Sequence, residues 1–205
     1  MLLVSTLGAS ALQGAPAAHF PAISRRRSSR YCEKGVFDPT GPEGFSIETL
    51  ERFKLPLVNK FYATQNYKAS ANRNDKVFVI RKKCPNDAIV AAARLTDKKQ
   101  RTRDPSLRTH TPGIVYFLRS VYVDPMHRRR GLAASLLERI ETFLDTEGAV
   151  CYTFPLGSLT QLYSQAGFSS CLQQQDILPS FTLDEFDAIS RQQKDPIDFM
   201  VRFAR

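Results

Sequence analysis

The sequence predicts one α/β domain built on a mixed sheet, with an N-terminal extension before it. Its 205 residues, 42% of them hydrophobic, are enough for one full-sized core. From residue 45 onward, the patterns alternate as helix, hairpin, strand, helix, strand, helix, helix and strand. No apolar run reaches the roughly 20 residues of a membrane span, so we expect a soluble, cytoplasmic protein without a membrane partner.

Residues 1–44 differ in composition from the rest. The first 24 residues carry no Asp, Glu, Lys or Arg, four arginines follow within residues 25–30, and the first acidic residue is Glu33. Such an acid-poor, Arg-bearing start is typical of an organellar transit peptide, which would direct the protein to a plastid or the mitochondrial matrix. A disordered tail or an over-extended start fits equally well. Because residues 37–44 are a Pro/Gly-rich linker, we place the folded domain at 45–205.

The first elements of the domain are predicted as a helix and a hairpin. Apolar residues in 46–65, including Phe53 and Leu57, recur near helical spacing, and Pro56 implies a break or kink. Residues 76–97 alternate as two strands around a PNDA turn.

A basic loop, a strand and a helix follow. Residues 98–112 are most simply a solvated flexible loop, although this loop could steer an acidic substrate or touch a cofactor phosphate. Residues 114–123 are β-branched and aromatic, which is typical of a central strand. After Gly131, apolar residues up to Leu144 fall on one helical face.

Two more helices and two more strands complete the domain. Gly167, a natural C-cap residue, ends a short helix, and Thr182 and Glu185 stand at capping-box spacing for the last helix. The helices are predicted at 158–168 and 181–190, and the strands at 149–154 and 198–203.

The charge balance favours anionic partners. The net charge is +9, and the segment from Lys98 to Arg130 holds nine basic and two acidic side chains, an excess of seven. A nucleic-acid-binding domain using residues 98–130 is therefore one alternative, although aromatic residues are not interleaved with the arginines and no recognition motif is present. The four cysteines form no CxxC pair and the three histidines show no ligand spacing, so we expect a reduced chain without a metal site.

A strand, a turn and a helix meet in "VDPMHRRRGLAAS". The strand ends at Val123, and three arginines, residues 128–130, then run through Gly131 into the helix. A helix N-terminus presents free N–H groups and a positive dipole end, and the small Ala133 and Ala134 let the backbone approach an anion. The segment matches neither GxxxxGK[ST] nor GxGxxG. We predict that this segment, named here the anion loop (residues 128–134), binds phosphate; the alternative is a solvated helix start.

The anion loop resembles the acetyl-CoA signature of the GNAT superfamily of N-acetyltransferases. That signature is Arg or Gln, two residues, Gly, one residue, then Gly or Ala, and Arg128, Gly131 and Ala133 match it. The stretch "LYSQAGF" at 162–168 resembles the second landmark of the family, a short helix bearing a tyrosine followed by Gly-Phe. The resemblance covers roughly residues 45–205 and includes bacterial-type members.

The resemblance implies a GNAT-like fold: a mixed, mostly antiparallel sheet flanked by helices, with its central strands 114–123 and 149–154 splayed apart. Acetyl-CoA, as co-substrate, would lie in the gap, its pantetheine arm paired with the backbone after Ser120 and its pyrophosphate held by amides of 129–134. The cofactor-binding residues implied are Val121, Tyr122, Val123, Arg128, Arg129, Arg130, Gly131, Leu132, Ala133 and Ala134.

The activity that the resemblance implies is acetyl transfer from acetyl-CoA to a primary amine by direct attack in a ternary complex. Tyr163 matches the position of the general acid, and a phenol with a pKa of about 10 can protonate the departing thiolate. The alternative is that Tyr163 only packs. A backbone N–H near Val121 is the expected donor to the oxyanion.

Two departures from the family pattern concern catalysis. Arg119 and Ser120 occupy the stretch where some members carry Glu or His, which leaves Glu141 or a water chain as candidate bases. Leu156 stands where many members have an asparagine, with Ser158 nearby. Both departures motivate another alternative, a non-catalytic acyl-CoA-binding sensor of the same fold.

The acceptor is left open by the sequence. A small-molecule or peptide amine fits, and the protein could be a monomer or a homodimer. We expect Phe61, Tyr62 and Tyr67 to pack in the core rather than line an acceptor pocket, and His127 to be exposed.

Overall fold

A computed structural model describes residues 44–83, 87–98, 114–171 and 180–205. The predicted extension, apart from Gly44, and the basic loop, apart from Lys98, lie outside the described residues. None of the helices in the described part of the chain is long and apolar enough to cross a membrane.

One mixed sheet runs through the domain, as predicted. Its seven strands lie in the order β1-β2-β3-β4-β5-β7-β6. All neighbours are antiparallel except β4 and β5, which are parallel. The strands are β1 (Phe45–Leu50), β2 (Asp75–Lys82), β3 (Ala88–Asp97), β4 (Val115–Val123), β5 (Val150–Thr153), β6 (Ser169–Ser170) and β7 (Met200–Arg202).

In the described ranges of the chain, four α-helices cover the two faces of this sheet. Short 3-10 turns at 52–54, 125–127 and 157–159 precede or connect them. The α-helices are α1 (Leu55–Thr64), α2 (Leu132–Glu147), α3 (Thr160–Gln165) and α4 (Ser180–Ser190).

The start of the domain was predicted wrongly. The stretch expected to be one helix begins instead as strand β1, paired with β2 over its whole length. Phe53 and Leu57, counted on the apolar face, are 72% and 47% exposed, whereas Leu55 and Val58 are buried. Pro56 therefore does not kink a helix; it stands in the first turn of α1, where its missing N–H costs nothing.

The end of the domain also differs from prediction. Helix α4 begins before Thr182, which is fully buried inside it, so Thr182 and Glu185 form no capping box. Glu185 instead accepts hydrogen bonds from Lys98 Nζ and from the Tyr152 hydroxyl, on the face of the sheet against which α4 packs. Strand β6, only two residues long, was not predicted.

The two faces of the sheet bury different helices. The face that we call the α2 face packs against α2 and α3 through residues such as Leu95 and Leu118 of the sheet and Leu136, Ile140 and Tyr163 of the helices. The opposite face, the α1 face, packs against α1 near β2 and β3 and against α4 near β5 and β7. Where β4 and β5 separate, the opening between them connects the two faces.

Candidate active site

Strands β4 and β5 separate partway along β4. They pair only over Val115–Leu118 and Val150–Thr153, and β5 then ends. Strand β4 continues to Val123 with β3 as its partner. This confirms the predicted splay and leaves one edge of residues 119–123 without a strand partner in the described chain; we call this opening the β4–β5 gap.

A β-bulge lies at the start of the β4–β5 gap. Ala92 pairs with Tyr122 and Arg94 with Arg119, so β4 uses one residue more than β3 between these pairs. Ser120 supplies it with φ of 58°, in the left-handed region that non-glycine residues rarely adopt. Sequence analysis missed the bulge because no glycine marks it.

Two side chains from the α1 face hold the bulge. Tyr62 Oη donates to the carbonyl oxygen of Ser120 at 3.1 Å, and Arg94 Nε donates to Ser120 Oγ at 3.0 Å. Tyr67 stacks on Tyr122 with ring centroids 4.6 Å apart, directly after the bulge. The predicted packing role of Tyr62 and Tyr67 is thus confirmed, and both tyrosines also border the gap.

A buried ion pair supports this arrangement. Arg94 Nη1 donates to Asp75 Oδ2 at 3.1 Å and to the carbonyl oxygen of Ser70. Asp75 Oδ1 accepts from Thr96 Oγ1 at 2.7 Å, and its side chain is fully buried. The sequence did carry a signal, because Asp75 and Arg94 occupy buried-face positions of adjacent strands, where a charge needs a partner.

The anion loop has the geometry that its sequence predicted. Arg129 and Gly131 have φ of 60° and 76°, and α2 begins at Leu132. A Cβ on Gly131 would meet no atom within 4 Å, so its backbone conformation, not lack of space, calls for glycine there. Ser135 N donates to Gly131 O at 3.0 Å, which leaves the preceding first-turn amides of α2 without helical acceptors.

The three arginines of the anion loop are exposed. Arg128 Nε donates to the carbonyl oxygen of Val123 at 3.2 Å, and its guanidinium lies 5.7 Å from the Tyr122 ring centroid. Arg128 therefore ties the loop to the end of β4. No acidic residue stands in the first turn of α2, so the positive end of the helix is not neutralised there.

A groove of about 260 Å³ lies between α2 and α3, beginning at the anion loop. It is lined by Ala134, Glu138, Glu141, Leu162, Gln165 and Ala166. Glu141 was a candidate base, but its Oε1 accepts from Arg202 Nη2 at 3.0 Å, in a cluster that joins α2 to β7.

Tyr163 lies on α3 at the β5 side of the gap. It is buried, and its ring packs against Phe168 with centroids 5.8 Å apart. Burial raises the pKa of the Tyr163 phenol, and the nearby Tyr67 raises it further, while the Thr153 side chain lowers it. Since Thr153 is the last residue of β5, the Tyr163 hydroxyl is placed where the two strands part, and it is protonated at neutral pH.

Other residues singled out in the sequence lie around the gap. Leu156 bridges Ile197 after β5, and Ser158 is exposed in the turn that follows. His127 was expected to be exposed, but it is half-buried, with its ring edge-on to Phe45 at 6.1 Å. Among residues 44–83, 87–98, 114–171 and 180–205, no three His, Cys, Asp or Glu side chains are grouped to hold a metal ion.

Comparison with known proteins identifies the family of the domain that holds the β4–β5 gap and the anion loop. A model described as "Acetyltransferase (GNAT) family" matches residues 45–168. The chain belongs to the GNAT acetyltransferase family. A comparison of the sequence with curated proteins finds no match.

Solved GNAT structures share the fold at low sequence identity. Arabidopsis thaliana NAA60 in complex with acetyl-CoA is 10% identical with a TM-score of 0.52, over 78% of this chain and 98% of that chain. Escherichia coli ElaA is 14% identical with a TM-score of 0.51, over 77% and 99%. These likenesses show the fold of the GNAT domain.

Proposed function

We propose that this GNAT domain, residues 45–205, is an acetyl-CoA-dependent N-acetyltransferase that acts on a primary amine in a ternary complex. The observation that carries the proposal is the continuity of three features. Strand β4 leaves β5 after Leu118, bulges at Ser120, and leads directly into the anion loop. Acetyl-CoA lying along β4 would thus have its phosphates at the anion loop and its thioester near the bulge.

The cofactor would be held mainly by backbone groups. The free edge of β4 at Val121, Tyr122 and Val123 offers peptide groups to the pantetheine arm, in the manner of an added strand. The amides of residues 129–134 and the dipole of α2 would bind the pyrophosphate. The exposed Arg128, Arg129 and Arg130 side chains add positive charge there.

Transfer would proceed by direct attack of the neutral amine on the thioester carbonyl. The C–N bond would form first and give a tetrahedral oxyanion, which a backbone N–H near Val121 would stabilise; the C–S bond would break as this oxyanion collapses. Tyr163 donates its proton to the departing sulfur, and the proton lost by the amine passes to solvent. The raised pKa of Tyr163 supports this role, since the phenol enters each cycle protonated.

One observation favours the sensor alternative. Two carboxylates, Glu141 and Glu185, are candidates for the base that would take a proton from the amine. Glu141 is bound to Arg202, and Glu185 is bound to Lys98 and Tyr152. Neither is free to accept a proton from the amine. A transferase must then receive its acceptor as the neutral amine, whereas a sensor needs no base at all.

Thiol release by the full-length protein separates the two functions. The protein is mixed with acetyl-CoA and a panel of amines in a single turnover, and free CoA and acetylated amine are both quantified. The proposal expects one CoA released for each amine acetylated. Binding of acetyl-CoA without CoA release across the panel would instead support the sensor.

A further inference from the structure

Arg119 stands on the α1 face of the β4–β5 gap. It is the first residue of β4 beyond the last pair with β5, Leu118 with Thr153. Its guanidinium lies 5.0 Å from the Phe117 ring centroid, and Phe117 packs on the α1 face with residues of α4. Arg119 therefore projects away from α2 and the anion loop. With the cofactor phosphates held at the anion loop, this opposite face is the side of the gap left open to an acceptor.

The described side chains around Arg119 carry more positive than negative charge. Its strand partner is Arg94, and Lys98 Nζ lies 5.2 Å from the same Phe117 ring centroid. The nearby carboxylates are committed, Asp75 to Arg94 at 3.1 Å and Glu185 to Lys98 at 2.5 Å. Within the described residues, Arg119 has no ion pair or hydrogen-bond partner, so three cations face two carboxylates.

Among the residues that the structure describes, the rest of this surface offers phenols and backbone rather than negative charge. Tyr62 and Tyr67 border the bulge, and the Tyr67 ring packs at a tilt against Tyr122. A polycationic acceptor would find no uncommitted carboxylate in this described part of the surface and would be repelled by Arg119. An acceptor bearing an anion would gain a bidentate contact with the guanidinium.

We propose that the acceptor is an amine that also carries an anionic group, a carboxylate or a phosphate, and that Arg119 binds this group. The inference rests on the proposed transferase function.

Matched acceptor pairs test the inference on the full-length protein. Phenylalanine is compared with 2-phenylethylamine, phosphoethanolamine with ethanolamine, and spermidine represents polycations; kcat and KM are measured from CoA release. The anionic member of at least one pair should be preferred about 10-fold or more, and the preferred pair distinguishes carboxylate from phosphate. Arg119→Gln should raise KM for that anionic acceptor about 10- to 100-fold and leave its neutral partner unchanged.

Two control variants separate recognition from general effects. Arg119→Lys should restore only part of the affinity, since an ammonium lacks the planar fork. Arg139→Gln removes an exposed arginine from α2 on the other face and should leave the preference intact. Acetyl-CoA affinity should be the same in all three variants.

Several results would overturn the inference. One is a wild-type preference for spermidine or for the neutral amine of each pair. Another is an equal loss of kcat/KM for both members of a pair in Arg119→Gln. If no amine is acetylated, the same pairs are titrated into the CoA-loaded protein by calorimetry, and equal binding of both members counts against the inference. Loss of acetyl-CoA binding by the wild-type protein would instead contradict the proposed function.

Discussion

The two faces of the sheet approach the β4–β5 gap with different chemistry. On the α2 face, the anion loop offers backbone amides whose positions depend on the conformations of Arg129 and Gly131. On the α1 face, side chains from separate elements, Tyr62, Arg94 and Asp75, hold the bulge at Ser120. A site made of backbone is encoded by a short local motif, whereas a site made of distant side chains can change residue by residue.

The difference suggests a division of tasks. The α2 face would bind the cofactor phosphates, because the cofactor is the reactant that family members share. The α1 face, with Arg119 and the tyrosines, would select the acceptor.

The largest effect is expected from Gly131→Glu. A side chain at φ of 76° costs about 1–2 kcal/mol in backbone energy, and the carboxylate would repel the cofactor phosphates. Affinity for acetyl-CoA should fall about 1000-fold or more, or about 4 kcal/mol, measured as loss of the acetyl-CoA-induced rise in Tm.

Gly148→Glu is the matched control for this variant. Gly148 lies at the other end of α2 with φ of 60°, and a Cβ there also meets no atom within 4 Å. It carries the same strain and charge far from the anion loop, so acetyl-CoA should still raise its Tm. Equal binding by both variants would contradict the placement of the cofactor.

The next effect tests the α1 face. Arg94→Met leaves the buried Asp75 without its cation, which should lower the free energy of unfolding by about 3–5 kcal/mol in urea denaturation. Adding Asp75→Asn should recover part of the loss by removing the bare charge. Arg81→Met, which breaks a more exposed pair with Glu48, should cost about 1 kcal/mol or less. An equal loss of unfolding free energy in Arg94→Met and Arg81→Met would mean that the Arg94–Asp75 pair does not stabilise the bulge region.

The smallest expected change in free energy comes from Tyr163, which lies at the β4–β5 gap between the two faces. Tyr163→Phe should reduce kcat about 100-fold, or about 2.7 kcal/mol, with unchanged acetyl-CoA affinity. Tyr116→Phe removes another buried phenol, at the opposite end of the β4–β5 pairing, and should leave kcat unaltered. Because burial raises the Tyr163 pKa, wild-type kcat should not fall with rising pH below about pH 10. An unchanged kcat in Tyr163→Phe would rule out the acid role.

The same contrast explains what the sequence could predict. The anion loop and α2 follow each other within one local pattern of strand, turn, glycine and amphipathic helix, so the backbone course of the loop and the start of α2 were predicted correctly. Phosphate binding by the loop stays a prediction. The bulge at Ser120 depends on contacts between residues far apart in the chain, which no spacing reveals. For Arg94 and Asp75 the sequence shows only that each charge needs a partner, and the fold decides that they pair with each other.

The errors at the two ends have physical causes as well. Phe53 and Leu57 match a helical period but face solvent, because the shorter helix α1 buries a different face, the one that holds Leu55, Val58, Phe61 and Tyr62. Thr182 and Glu185 match a capping box by spacing, yet both lie within α4, and Glu185 is drawn to Lys98. In both places tertiary contacts override a local pattern.

The most direct test of the central claim is a calorimetric titration of the full-length protein with acetyl-CoA and then desulfo-CoA, at low salt and at about 200 mM salt. If backbone amides of the anion loop and the edge of β4 hold the cofactor, both ligands should bind with about micromolar Kd, and most of the affinity should survive the added salt. Absence of binding, or affinity that collapses with salt as in nucleic-acid binding, would contradict a cofactor site in the β4–β5 gap.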